Sequence, residues 1–403
     1  MDETLLIISP VQVFPAHSGN SKRIHSVCSE LMSEGYKLNF FYAGFDKELH
    51  TDHHSFFNGR VLEHDIAQCS PDSSLRISEI LNGLKIRFQK AVRLLTEGGQ
   101  SATFNKGLAE YRDARKLDCL RAEISGKSYD AVIVNYAVYS HYFELFPDGC
   151  RKIIDTHDRL SDRYKLYLEQ GEVPPNWHSL RAQDESKALE KADLVWAITH
   201  EEAEYFRSLV AGKNVNVKTL RHIIPYERVA VQRPQPAILF TGSQNQLNRD
   251  GIHWFLSEVW PEVNGKVDDL RLIIAGAISE LLKGEPTPDG VELYGRFGSS
   301  REVFALTDLC INPMRTGTGL KIKTIEALAA GKVVLSTTNG CEGLGEFIGS
   351  GLICSDEAGD WIEAIDRWFD DPGFRKTAHE GAQEKVEDMY QKNLQTLFSS
   401  LRK

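Results

Sequence analysis

No apolar run in this 403-residue chain approaches the roughly 18 residues needed to cross a bilayer. Met1-Asp2-Glu3-Thr4 begins acidic, and Leu5-Leu6-Ile7-Ile8 is too short for a secretory core. Any membrane contact is therefore expected to be peripheral. Long runs of lysine and arginine are also missing, and the formal net charge is -10. That balance lacks the positive field needed to hold a polyanion, so nucleic acid is not an expected partner. The seven cysteines (Cys28, Cys69, Cys119, Cys150, Cys310, Cys341 and Cys354) are odd in number and never form a Cys-x-x-Cys pair. This pattern suits a reducing, cytoplasmic compartment. No Gly-x-Gly-x-x-Gly follows a strand-like run, which argues against a dinucleotide oxidoreductase. His50, Asp52, His53 and His54 match the spacing of no closed metal site, so no metal is expected.

What is present is a chain that is 41% hydrophobic and long enough for two cores of ordinary size. Apolar runs at Leu5 to Ser9, Leu38 to Tyr42, Ala131 to Tyr136, Ile153 to Asp155 and Leu194 to Thr199 alternate with helix-like segments such as Lys22 to Glu34 and Ser186 to Ala192. A second series follows at Ile238 to Thr241, Leu272 to Ala275, Val291 to Tyr294, Leu309 to Ile311 and Val333 to Ser336. Strand alternating with helix predicts α/β structure with doubly wound parallel sheets, and two series predict two Rossmann-like domains. The expected division is residues 1–215, a crossing at 216–236 ending in Gln-Arg-Pro-Gln-Pro, 237–380, and a final polar helix at 381–403.

The densest chemistry lies in Arg315-Thr316-Gly317-Thr318-Gly319-Leu320-Lys321-Ile322-Lys323-Thr324-Ile325-Glu326-Ala327. Glycines let a ligand approach the backbone, and a helix starting near Leu320 points unpaired N–H groups and its positive dipole end into the loop. Lys321 and Lys323 add charge, which together suits a diphosphate. Lys323 and Glu326 share a helix face, while Ile322, Ile325 and Ala329 fall on one that can pack on a sheet. A carboxylate beside an anion site is best matched to sugar or ribose hydroxyls. The plain alternative is a surface Lys–Glu pair after a glycine turn. Near the amino terminus, Ser18 or Asn20 can cap the helix after the first strand, with Gly19 permitting close backbone approach to phosphate. After the run Lys152 to Ile154, Asp155-Thr156-His157-Asp158 should emerge at a strand's carboxyl end. A histidine there can bond a sugar hydroxyl, accept a proton near neutral pH, or be held between two aspartates. Asn248, Asp250 and Gly251 read as a turn capping a helix near Ile252. Arg76 to Leu95 reads as a basic amphipathic helix, packed on the first domain or lying on an anionic membrane.

The run Gly317 to Gly343, with Phe240-Thr241-Gly242-Ser243, Asn248 to Phe255 and Val259-Trp260-Pro261, resembles the C-terminal domain of glycosyltransferase family 4, and more narrowly its bacterial cell-surface polysaccharide and lipopolysaccharide members. The resemblance is dense from Ala237 to Leu344. It implies the GT-B fold: two Rossmann-like domains facing across a cleft, with the last helix returning to the first domain. It implies a retaining, metal-independent hexosyltransferase that takes a nucleotide-diphosphate sugar as substrate, needs no cofactor, and delivers the sugar to a glycan or lipid-linked acceptor at the inner face of the membrane. In such enzymes the leaving diphosphate itself takes the acceptor's proton. The resemblance then assigns His157, with Asp158 as alternate, to the donor sugar's distal hydroxyl. It assigns leaving-group stabilisation to Lys321, Lys323, the Gly317, Thr318, Gly319 and Leu320 amides and Gly19. Gly242 and Ser243 face the diphosphate, Arg296 and Phe297 the base, and Glu326 the ribose. The family's Glu-x7-Glu places Thr318 where the first glutamate stands, so that role passes to no carboxylate here. A non-catalytic GT-B subunit and a nucleotide-sugar epimerase or hydrolase of the same fold stay open as alternatives.

Overall fold

The computed structural model of the chain describes residues 3–14, 16, 18–44, 51–58, 60–62, 99–169, 179–232, 235–317 and 319–402. The helix expected at Arg76 to Leu95 and His50 lie outside them, as does Thr318. The chain divides into two compact units, one of Met1–Arg221 with Thr396–Lys403, the other of His222–Gln395.

The first unit holds a seven-stranded, wholly parallel sheet. Its strands are β1 (Thr4–Ser9), β2 (Lys37–Tyr42), β3 (Val61–Leu62), β4 (Ala131–Asn135), β5 (Arg151–Asp155), β6 (Leu194–Ala197) and β7 (Asn216–Thr219), in spatial order β3-β2-β1-β4-β5-β6-β7. All five residues of β4 and all four of β6 are buried, as expected of strands covered on both faces. The order reverses between β1 and β4, which is where open α/β sheets place their ligands. β7 arises from residues expected to form the crossing. Only Val217 of its four is buried, so a short polar edge strand left no apolar run to read.

The helix Gly19–Ser33 starts from a reciprocal cap: Ser18 N–H donates to Ser21 Oγ at 3.1 Å, and Ser21 N–H donates to Ser18 Oγ at 3.4 Å. Its buried residues Ile24, Val27, Cys28 and Leu31 repeat at helical spacing and face the core. The helix ends at Glu34, before Gly35 at φ 94°. At the far end of the chain, the helix Pro372–Leu401 runs into the first unit, where Trp196 Nε1 donates to Ser400 Oγ at 3.1 Å. Trp196 is wholly buried, and burying a side chain of that kind contributes about 1.5–3 kcal/mol. Cys28, Cys150, Cys310, Cys341 and Cys354 are not disulfide-bonded, while Cys119 carries a disulfide, which departs from the all-reduced expectation.

The second unit repeats the plan with six parallel strands: β8 (Ala237–Thr241), β9 (Arg271–Ala275), β10 (Val291–Gly295), β11 (Leu309–Asn312), β12 (Val333–Ser336) and β13 (Leu352–Cys354), ordered β10-β9-β8-β11-β12-β13. Here the order reverses between β8 and β11. Its core joins Phe240, Ile252, Phe255, Trp260, Ile274, Ile311, Leu335, Trp361 and Trp368.

Candidate functional site

In the second unit the expected residues gather along the carboxyl edge of the sheet. Past β8, Gly242 N–H donates to Ala275 O at 3.0 Å, and Ser243 is exposed. The next helix, Gln246–Glu258, begins earlier than the sequence suggested. Asn245 caps it, its side chain accepting Asn248 N–H at 2.8 Å. Asn248 is thereby freed from a capping role. It is buried, and Nδ2 donates to Ser243 O at 3.0 Å and to Ser243 Oγ at 3.2 Å. Its Oδ1 accepts from Lys323 Nζ at 2.6 Å.

The helix carrying Lys323 spans Ile322–Ala329 and starts two residues later than expected, with Lys321 at its N-cap. Ile325, Leu328 and Ala329 are buried, whereas Ile322 is only partly so. The preceding loop turns through positive φ at Gly317 (121°) and Gly319 (72°), backbone that side chains with a Cβ rarely adopt. It is held from both ends: Asn339 Nδ2 donates to Gly317 O at 2.6 Å, and Lys321 Nζ donates to Gly319 O at 2.8 Å. Lys321 is also 3.2 Å from Glu342 Oε2, so it is a paired, buried cation rather than a free one. Lys323 faces an aromatic ring instead, with Nζ 4.7 Å from the Phe240 centroid. Burial, then the charge of Lys321, lowers its pKa to about 7. A negative charge brought to this place would restore the ammonium. Leu320 is buried, and Glu326 sits partly buried one turn beyond Lys323. Arg296, exposed, and Phe297, partly buried, follow β10, two strands from β8 along the same edge. At the usual strand spacing that separation is about 10 Å.

The first unit builds a different cluster at its own strand reversal. Asn135 ends β4 and is paired in register with Asp155 at the end of β5. Asp155 is buried and receives Arg23 as a fork, Nε at 2.9 Å from both oxygens and Nη2 2.8 Å from Oδ1. His157 lies two residues on, at φ 59°, 9% exposed. Its Nε2 is 2.7 Å from Asn135 Oδ1 and 3.7 Å from Asp155 Oδ2. The imidazole stacks on Tyr136, which is also at positive φ (69°), with centroids 4.5 Å apart. Asn20 Nδ2 donates to Tyr136 OH at 3.0 Å, tying the cluster to the start of the helix at Gly19.

Burial lowers the His157 pKa to about 4, against a smaller upward pull from Asp155. The ring is therefore neutral near neutral pH and a weak proton acceptor. It is also not held between two aspartates, because Asp158 turns to Arg163 at 2.7 Å. Gly19 is the first residue of its helix, so its N–H has no intrahelical acceptor. His53 is buried with Nε2 accepting Val13 N–H at 2.9 Å and Phe14 N–H at 3.4 Å, a role in shaping the loop before Ser18. The sequence reading missed Asn339, Arg23 and Asn135, and gave Asn248 a capping role in place of its contact with Lys323. Amides and one arginine inside ordinary helix and strand patterns carry no local signal.

Two parallel sheets of order 3-2-1-4 and onward, each with polar groups at the reversal, are the architecture of the GT-B fold. TarM of S. aureus matches over 100% of this chain and 99% of its own (TM-score 0.67, 11% identity). Sucrose-phosphate synthase from Thermosynechococcus elongatus matches over 98% of each (0.63, 15%). HepE from Anabaena, solved with UDP, matches over 98% and 100% (0.61, 12%). Identities this low bear on the fold alone. Residues 235–371 match the family Glycosyl transferases group 1. An uncharacterized 44.6 kDa protein in the cps region of Klebsiella pneumoniae is 32% identical over 135 residues, 30% of this chain and 34% of that protein. The match thus spans about a third of the relative's length.

Proposed function

We propose that the chain is a retaining glycosyltransferase that moves a sugar from a nucleotide-diphosphate donor to a glycan or lipid-linked glycan in cell-surface polysaccharide assembly. The observation that carries this reading is Lys323, partly desolvated, fixed by Asn248 and backed by Lys321 at a helix start on the reversing edge of the sheet. A diphosphate supplies the charge such a lysine lacks. Arg296 and Phe297, about 10 Å along the edge, are within a nucleoside's reach and offer a stacking surface for its base. Glu326 takes the ribose hydroxyls and His157 a sugar hydroxyl. The donor is substrate, and no resident cofactor enters the reading.

HepE has been solved in complex with UDP-glucose, and TarM with UDP, alpha-GlcNAc-glycerol and Fondaparinux, which supports a nucleotide sugar and a glycan as partners. The cps-region relative supports a polysaccharide pathway. Among the described residues no helix is long and apolar enough to cross a membrane, and the reading places the chain in the cytoplasm with at most peripheral contact at the inner membrane face.

The test is thermal-shift and calorimetric titration with UDP, GDP, ADP, dTDP and CMP, with and without their sugars. A selective hit that Glu326→Ala abolishes is expected. Silence from folded protein across the panel would sink the reading, and an inverted anomeric configuration in a transfer product would sink retention.

A further inference from the structure

The amide of Asn135 has one orientation available. Its Nδ2 donates to Ile8 O at 3.1 Å on the neighbouring strand, which leaves Oδ1, an acceptor only, facing His157 Nε2 at 2.7 Å. An acceptor at that distance requires a proton on Nε2. The second group near the same nitrogen, Asp155 Oδ2 at 3.7 Å, is also an acceptor and is already held by the Arg23 fork. Tyr136 covers one ring face, and both aromatic residues sit in left-handed backbone, a conformation that costs on the order of 1–3 kcal/mol at each position and persists where the surroundings dictate it. Among the described residues nothing pairs with Nδ1 of His157.

We infer that Asn135 is the positioning residue that holds His157 in its Nε2–H form and so presents Nδ1 as a hydrogen-bond acceptor for a hydroxyl of the sugar substrate. The inference rests on the glycosyltransferase reading for the identity of the hydroxyl, and on the geometry of β4 and β5 for the tautomer. A neutral ring that only accepts selects a ligand that donates. It orients a hydroxyl group without removing its proton, in keeping with a ring too weakly basic for general-base work.

The tautomer is readable without ligand. In the full chain labelled with 15N-histidine, the His157 signals, identified by their loss in His157→Gln, should report Nε2 protonated and Nδ1 bare at pH 7. An Nδ1–H form, an imidazolium or an averaged mixture overturns the inference, whatever any variant does. Asn135→Ala should release the ring to a mixture, whereas Asn135→Asp, which keeps an acceptor in place, should keep Nε2 protonated. UDP-glucose and UDP are the ligand probes. In Asn135→Ala, UDP-glucose should bind roughly tenfold more weakly while UDP stays within about twofold. Equal losses for both probes overturn the sugar-facing role. A wild-type chain that binds no nucleotide overturns the function reading alone, since the tautomer is decided separately.

Discussion

Oδ1 of Asn248 accepts a 2.6 Å hydrogen bond from Nζ of Lys323, joining two helices of the second unit through a single polar contact. The amide neutralises nothing. It fixes the lysine beside the Phe240 ring without supplying the negative charge a carboxylate would bring. Asn248→Asp should therefore raise the Lys323 pKa and yet weaken diphosphate binding, because the new carboxylate repels phosphate. Asn248→Ala should weaken it less, by about tenfold, the loss of one charge-assisted hydrogen bond. Calorimetry on both variants decides the order, and tighter binding by the aspartate variant would refute it.

A lysine with a pKa near 7 in the free protein takes up a proton when a diphosphate arrives. UDP titrations at pH 8 in two buffers of different ionisation enthalpy should show uptake approaching one proton, shrinking toward zero at pH 6. Lys323→Met should abolish the buffer dependence. No dependence in the wild type would mean the lysine is already charged.

His157 and His141 both have their pKa lowered to about 4 by burial. Between about 4 and the unfolded value near 6.5 the unfolded chain binds more protons than the folded one. Stability contributed by these rings is therefore complete above pH 6.5 and is lost as pH falls toward 4, on the order of 3 kcal/mol for each. Glu185, raised by burial, works in the opposite direction. Urea denaturation of the full chain from pH 7 to pH 4.5 should show the loss, and His157→Gln should remove roughly half of it, leaving the His141 share. A flat wild-type profile would refute the shifts.

Gly276 lies at φ 101°, and a Cβ there would stand 2.4 Å from Gly242 O. Gly276→Ala should cost about 3 kcal/mol or more, through both strain and the clash, and should displace the loop after β8. The melting temperature and UDP affinity should fall together. Loss of one without the other would separate packing from the ligand loop.

The doubly wound plan was legible because parallel strands are buried on both faces and so appear as near-continuous apolar runs. β4, Ala-Val-Ile-Val-Asn, is the clearest case. β3, with two residues, and β13, with three, are too short for any periodicity to register. The lysine-rich loop was legible because glycines and charges crowd together in sequence. Asn135 was not, since its partners Ile8 and His157 stand 127 and 22 residues away and meet it only once β1, β4 and β5 are side by side. The early start of the helix Gln246–Glu258 has a capping cause: its first amides are settled by which side chain reaches them, and Asn245 reached Asn248 N–H where Asn248 itself had been read as part of the cap.

The helix Pro372–Leu401 gives the chain an order of completion. Ser400, which accepts the Trp196 indole N–H, is translated some 200 residues after its partner, with all of residues 222–395 in between. During synthesis the amino-terminal unit is thus the first to begin folding and the last to finish, while the unit encoded in the middle has all of its own strands to hand earlier. A nascent chain stalled before Thr396 should leave the Trp196 indole nitrogen without its serine, and loss of the last turns by proteolysis would reopen a unit whose sequence otherwise ended at Arg221.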